Sequence, residues 1–101
     1  GAAIIVLVVN NGMYGTIRMH QEREFPGRVS GTELANPDFA AYARAFGGHG
    51  ETVERTAGFA PAFQRAVASG KPAIIELRID PEAITPAATL SGLRAAALAR
   101  K

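Results

Sequence analysis

The chain reads as an α/β protein: a three-layer α/β/α arrangement around a mostly parallel sheet. Three observations carry that reading. Residues 4–9, IIVLVV, form an unbroken apolar run of strand length, the pattern of a strand buried on both faces of a parallel sheet. Residues 73–79, AIIELRI, supply another strand, alternating in character and bounded by Lys71-Pro72 and Asp80-Pro81. Between them, apolar residues recur at helical spacing in segments separated by a short strand. Alternating strands and helices imply parallel strands joined by right-handed crossovers.

The elements follow in order. Residues 13–22 make a short helix with limited apolar character from Ile17 and Met19. Residues 25–35, with Pro26, Gly27 and Gly31, form a loop long enough to suggest a functional role. Asn36-Pro37-Asp38 predicts a helix start, with Asn36 as the cap, proline in the first turn and an acid at the positive end of the dipole. Phe39, Tyr42, Ala43 and Phe46 supply that helix's apolar stripe, and Gly47 stops it. Residues 51–55 read as a strand anchored by Val53. Thr56 caps the next helix, with Phe59, Phe63, Ala66 and Val67 on its apolar side, Pro61 near its start and Gly70 after its end. A loop containing Pro86 leads to an alanine-rich helix over 89–100, with Leu90, Leu93, Ala97 and Leu98 on one side.

Composition excludes several functions. With 101 residues the chain is one domain or part of one, and an apolar content of 48% excludes intrinsic disorder. A net charge of +2, without clustered basic residues and stacking aromatics, argues against a nucleic-acid surface. The longest apolar run falls far short of the roughly 20 residues of a membrane span, and no basic segment precedes it as in a signal peptide. Cysteine is absent, which excludes disulfides, thiolate metal sites and cysteine nucleophiles and fits a reducing, cytoplasmic setting. The run at 4–9 has the character of an interior strand, so the expectation is that residues 1–101 are the carboxyl-terminal part of a larger domain whose upstream half supplies neighbouring strands.

Chemistry concentrates after the first strand, at Asn10, Asn11 and Gly12. Open α/β sheets hold ligands at the carboxyl ends of their strands. Two amides there offer neutral oxygens and donors without adding charge, which suits a divalent cation already paired with a phosphorylated cofactor. On the residues alone, a plain Asn-Gly turn is the commoner explanation of the tripeptide. The histidines, His20 and His49, lie in different segments and have no metal-type partner at helical spacing. Ser30 and Ser91 have no local base. The run Gln21, Glu22, Arg23, Glu24 reads as a solvated face, Glu76 as solvent-facing or ion-paired, and Phe39, Tyr42, Phe46, Phe59 and Phe63 as core.

The segments LVVNNGMYG, HQEREFPGRVSGTELANPDFAAYARAFGG and GKPAIIELRIDP, in this order and spacing, resemble the carboxyl-terminal pyrophosphate-binding domain of thiamine diphosphate enzymes. The nearest group is that of the acetolactate synthases and 2-oxoacid decarboxylases, and the likeness covers residues 4–81. It implies a thiamine diphosphate-binding fold that takes thiamine diphosphate and Mg2+ and acts on a 2-oxo acid in a homo-oligomer, dimer or tetramer. By that resemblance the Asn11 side chain and the Met13 carbonyl are magnesium ligands, Gly12 allows the sharp turn between them, and the amides of Tyr14, Gly15 and Thr16 face the diphosphate at a helix amino terminus. Asn10 braces the loop, and Phe25 and Arg28 come near the mouth of the site. The family's motif opens with Gly-Asp-Gly, whose aspartate is a further metal ligand. No Gly-Asp-Gly occurs here, so the resemblance puts that half upstream of residue 1. The glutamate that activates the coenzyme comes from a neighbouring subunit in this family, so no catalytic residue is assigned in this chain. Its share is anchoring, while the coenzyme supplies the carbon chemistry. A second reading is a folded but catalytically inert module that only associates with the rest of the enzyme. A third, another nucleotide-binding α/β domain, lacks a GxGxxG fingerprint.

Overall fold

The strands and helices follow in the order β1 (Ile5–Asn10), α1 (Gly15–Glu24), α2 (Phe39–Ala45), β2 (His49–Val53), α3 (Phe59–Ser69), β3 (Ala73–Arg78), β4 (Ala83–Thr85), β5 (Ala88–Thr89) and α4 (Leu90–Ala99). The structure, a computed structural model, describes residues 2–100. The chain divides into two units, one formed by residues up to 10 with 36–79, the other by 11–35 with those from 80 onward.

In the first unit β3 lies between β1 and β2, and all three strands are parallel. Ile5 and His49 both stand opposite Ala73, while Leu77 stands between Val9 and Val53. The chain runs from β1 past the position of β3 to β2, then returns one place through α3. Two crossovers of one hand running in opposite directions put their helices on opposite faces. The contacts agree. Ala62 and Ala66 of α3 pack with Ala73, Ile75 and Val53. On the alternate face, α2 lies against Gly50, and the amide of Phe39 reaches Glu76. This is the α/β/α layering expected from the sequence.

Small residues make this packing. A Cβ added at Gly50 would fall 2.1 Å from the carbonyl oxygen of Ala40, so the α2 backbone rests directly on β2. So close an approach leaves room for alanine and none for rings. Ala40 and Ala43 are buried, whereas Tyr42 is 55% and Phe46 78% exposed, their rings 5.1 Å apart. The expectation that these aromatics are core is corrected for that reason. Phe63 and Val67 are also exposed on α3, where Ala62 and Ala66 take the core positions.

Two further expectations change. β1 has one strand neighbour among the described residues, so Val6, Leu7 and Val9 are exposed and not buried on both faces. The cap of α2 is Asp38, which accepts from the Ala41 amide at 3.0 Å, because helical geometry begins at Phe39 and not beside Asn36. Similarly, Thr56 opens a 3-10 turn, Thr56–Gly58, and α3 begins after it without a side-chain cap. Pro61 falls in the first turn of α3, and Gly70 ends that helix with φ 65°, both as the sequence predicts.

In the second unit α1 packs against α4, whose Leu90 and Ala97 are buried. Thr89 caps α4 by accepting from the Gly92 amide at 3.0 Å. Before it, β4 and β5 pair antiparallel where the sequence suggested only a loop. No helix among the described residues is long and apolar enough to cross a membrane.

Candidate functional site

Residues 11–16 all fall in the second unit, and its geometry organises them around Asn11. The Asn11 Oδ1 accepts the Met13 amide at 3.2 Å, an Asx turn closed over Gly12, whose φ of 73° suits glycine. The loop is then pinned to the segment after α1. Tyr14 donates its amide to the Thr32 carbonyl at 2.8 Å, Leu34 donates to the Gly12 carbonyl at 2.8 Å, and Met13 stands opposite Glu33 in an antiparallel bridge. In such a bridge, flanked by hydrogen bonds on both sides, a residue's own N–H and C=O point away from the partner. The Met13 N–H goes to Asn11 Oδ1, so the Met13 carbonyl leaves on the side where the Asn11 amide lies.

The same amide sits at the start of α1. A Cβ added at Gly15 would come 2.8 Å from Asn11 Nδ2, so Gly15 leaves the space that the Asn11 side chain uses. Tyr14, the N-cap of α1, makes no side-chain capping bond. Its amide, expected to face a diphosphate, is engaged by Thr32; the amides of Gly15 and Thr16 open the helix. The structure thus brings Asn11, Gly12, Met13 and the amino end of α1 into one loop. An amide oxygen keeps a second lone pair after accepting one hydrogen bond, so Asn11 Oδ1 and the Met13 carbonyl fit as neutral ligands to a hard cation. Among the described residues there is no group of three or more His, Asp or Glu side chains that could hold a metal, and the two donors named here are uncharged.

Buried carboxylates brace each unit, and here the sequence reading is corrected. Glu22 is fully buried and not on a solvated face. Its Oε2 accepts from Arg94 Nε at 2.7 Å and from the Gly27 amide at 3.1 Å, and Arg94 Nη2 reaches Oε1 at 2.5 Å. Those Arg94 hydrogen bonds, outweighing burial, lower its pKa to about 2. Gln21 beside it donates to the Ser30 carbonyl and accepts from the Thr32 hydroxyl, tying the 25–35 loop to α1. In the first unit Glu76 is also buried, so it does not face solvent, and it is ion-paired with Arg78 at 3.0 Å, the other alternative the sequence left open. Burial pushes its carboxyl up, but hydrogen bonds from Asn10, Arg78 and the Phe39 amide leave it below the usual range. A lone acid after an apolar start to the strand was the available signal for Glu76; Glu22 carried none.

The remaining candidates stand apart from this chemistry. His20 is exposed on α1. His49 pairs with Glu51 at 2.7 Å, and Arg65 also bonds that carboxylate, holding it below its ordinary pKa. Phe25 and Arg28 are exposed in the loop after α1. Ser91 donates to Glu82 at the start of α4.

Comparison with known proteins agrees with the loop's character. The profile of one family, described as thiamine pyrophosphate enzyme, C-terminal TPP binding domain, matches residues 1–77. A probable acetolactate synthase of Mycobacterium bovis is 33% identical over 84 residues, covering 83% of this chain and 15% of that protein. A putative thiamine pyrophosphate-containing protein, YdaP, of Bacillus subtilis is 33% identical over 84 residues, covering 82% of this chain and 14% of its own length. A catabolic acetolactate synthase of Raoultella terrigena is 31% identical over 75 residues, covering 74% and 13%. The chain therefore spans about 15% of the length of such relatives.

Proposed function

We propose a function from one premise: the chain belongs to the family of C-terminal TPP-binding domains of thiamine pyrophosphate enzymes. On this reading the Asn11–Thr16 loop supplies the uncharged half of a magnesium–diphosphate anchor for thiamine diphosphate, in an acetolactate synthase-like enzyme acting on 2-oxo acids. Asn11 Oδ1 and the Met13 carbonyl hold Mg2+, and the Gly15 and Thr16 amides at the start of α1 hold the diphosphate. The Tyr14 amide instead secures the loop to Thr32. When bound, the coenzyme supplies the nucleophilic carbon and the electron sink. The chain's own residues bind and orient, and none acts as acid or base. The remaining metal ligands, including a carboxylate, come from an upstream half of the domain, within a cytoplasmic dimer or tetramer. The observation that supports this most is the shared direction of the Asn11 amide and the Met13 carbonyl.

In the full-length enzyme, Asn11→Ala is expected to weaken Mg2+-dependent coenzyme binding and to lower activity with it. The loss is about tenfold or more, the effect of removing a hydrogen bond or ligand to a charged group. Wild-type affinity for both metal and coenzyme in that variant refutes the assignment. A second reading, a folded module that only associates with the rest of its enzyme, draws support from β1. Its exposed Val6, Leu7 and Val9 present apolar surface for other segments. Calorimetric titration of the 101-residue chain with thiamine diphosphate and Mg2+ separates the two. Saturable heat means the visible half-site suffices, and its absence favours the inert module.

A further inference from the structure

The central strand of the first unit carries a buried carboxylate. Glu76 is 1% exposed, and three donors converge on it: Asn10 Nδ2 at 2.9 Å and Arg78 Nε at 3.0 Å on Oε2, and the Phe39 amide at 3.3 Å on Oε1. Asn10 in turn accepts from Asn36 Nδ2 on its Oδ1 at 2.8 Å. An asparagine amide has nearly identical ends, one accepting and one donating, so its orientation is set by its neighbours. A carboxylate can only accept. It therefore turns the Nδ2 of Asn10 inward and its Oδ1 outward, and that oxygen orients Asn36. The Phe39 amide ties the amino end of α2 to the same carboxylate.

We infer that Glu76 is a positioning residue that presets the side-chain amide of Asn10, the last residue of β1, and through it Asn36, so that the strand end leading into Asn11 is ordered before any ligand arrives. The functional part of this inference rests on the proposed role of Asn11; the ordering itself does not. Replacing the carboxylate by its amide isostere removes an acceptor and adds a donor. Glu76→Gln can keep the Asn10 and Arg78 bonds by giving up only the Phe39 bond, so the deciding variant is Glu76→Met, which offers Asn10 no acceptor.

The test is side-chain amide NMR of the 101-residue chain, with the Asn10 signal identified by its disappearance in Asn10→Ser. In Glu76→Met the Asn10 δ-amide protons are expected to exchange with water about tenfold or more faster than in wild type, as befits loss of a hydrogen bond to a charge. In Asn36→Ser they keep wild-type protection, because the acceptor that sets them remains. Unchanged exchange in Glu76→Met overturns the inference, and so does lost protection in Asn36→Ser. Should Glu76→Met not fold, Asn36→Ser still decides, because Asn36 is exposed at the surface. Coenzyme titration of the same variants gives a separate arm. Where the wild-type chain binds thiamine diphosphate with Mg2+, Glu76→Met weakens it about tenfold. Where wild type does not bind, the result counts against the half-site alone, and the amide exchange still judges Glu76.

Discussion

Arg94 of α4 grips Glu22 of α1 with two donors, Nη2 at 2.5 Å from Oε1 and Nε at 2.7 Å from Oε2. This fork-to-fork pair joins residues 72 positions apart and holds together the two helices of the second unit. The carboxylate also accepts the Gly27 amide, so the turn after α1 hangs on the same group. Arg18, one turn earlier, approaches it at 3.6 Å.

Breaking that pair from one side leaves a buried charge without its partner. Arg94→Met is expected to destabilise the chain by about 3 kcal/mol, the lower end for a buried pair, since the arginine is itself partly open to water. Glu22→Leu combined with Arg94→Met is expected to recover most of the loss, because two packed apolar groups replace two desolvated ions. Urea melts of the single and double variants measure both, and a double variant no better than the singles contradicts the account.

Acid weakens the same element. Glu22 titrates at about 2 when folded against 4.5 ordinarily, so between those values the unfolded chain binds the extra proton. Its contribution is present above pH 4.5 and lost as the pH falls toward 2. Linkage puts that loss at roughly 3 kcal/mol. Glu51 and Glu76 are lowered too and add to the same trend. Stability measured from pH 5 downward should therefore fall less steeply in Glu22→Gln than in wild type, and parallel curves refute the assignment.

Gly50→Ala is expected to cost at least about 2 kcal/mol, because the new methyl would overlap the backbone of α2, which cannot move aside as a flexible side chain can. Gly58→Ala, whose Cβ would meet only Val53 at an ordinary 3.5 Å, serves as the mild control. Equal melting temperatures for the two variants would show that α2 does not rest on β2 as described.

The cap of α2 distinguishes two nearby residues. Asp38→Ala removes the acceptor of the Ala41 amide and should cost about 1 kcal/mol. Asn36→Ala leaves the cap intact and should not melt the helix end. Amide exchange at Ala41 reports the difference, and faster exchange in Asn36→Ala alone would reverse the assignment.

Local chemistry was enough to read much of this protein. The apolar run before Asn10, the helical spacing after Asp38, Pro61 near a helix start and Gly70 after its end each act within a few residues. They specified parallel strands alternating with helices without reference to the rest of the chain. The Asn11-Gly12 turn was legible for the same reason: an Asx turn closes over three residues. Pairings between distant segments were not legible. Glu22 sits in a run of charged and polar residues, and only α4, folding back with Arg94, turns it into a buried ion. Glu76 became an organiser of Asn10 once β3 took its place beside β1. Tyr42 and Phe46 have the spacing of a core stripe, yet the flush contact at Gly50 gave the interior to Ala40 and Ala43. Periodicity states which face of a helix is apolar; how near that face comes to its neighbour, and so which side chains fit beneath it, depends on the partner's backbone and is decided only when the two meet.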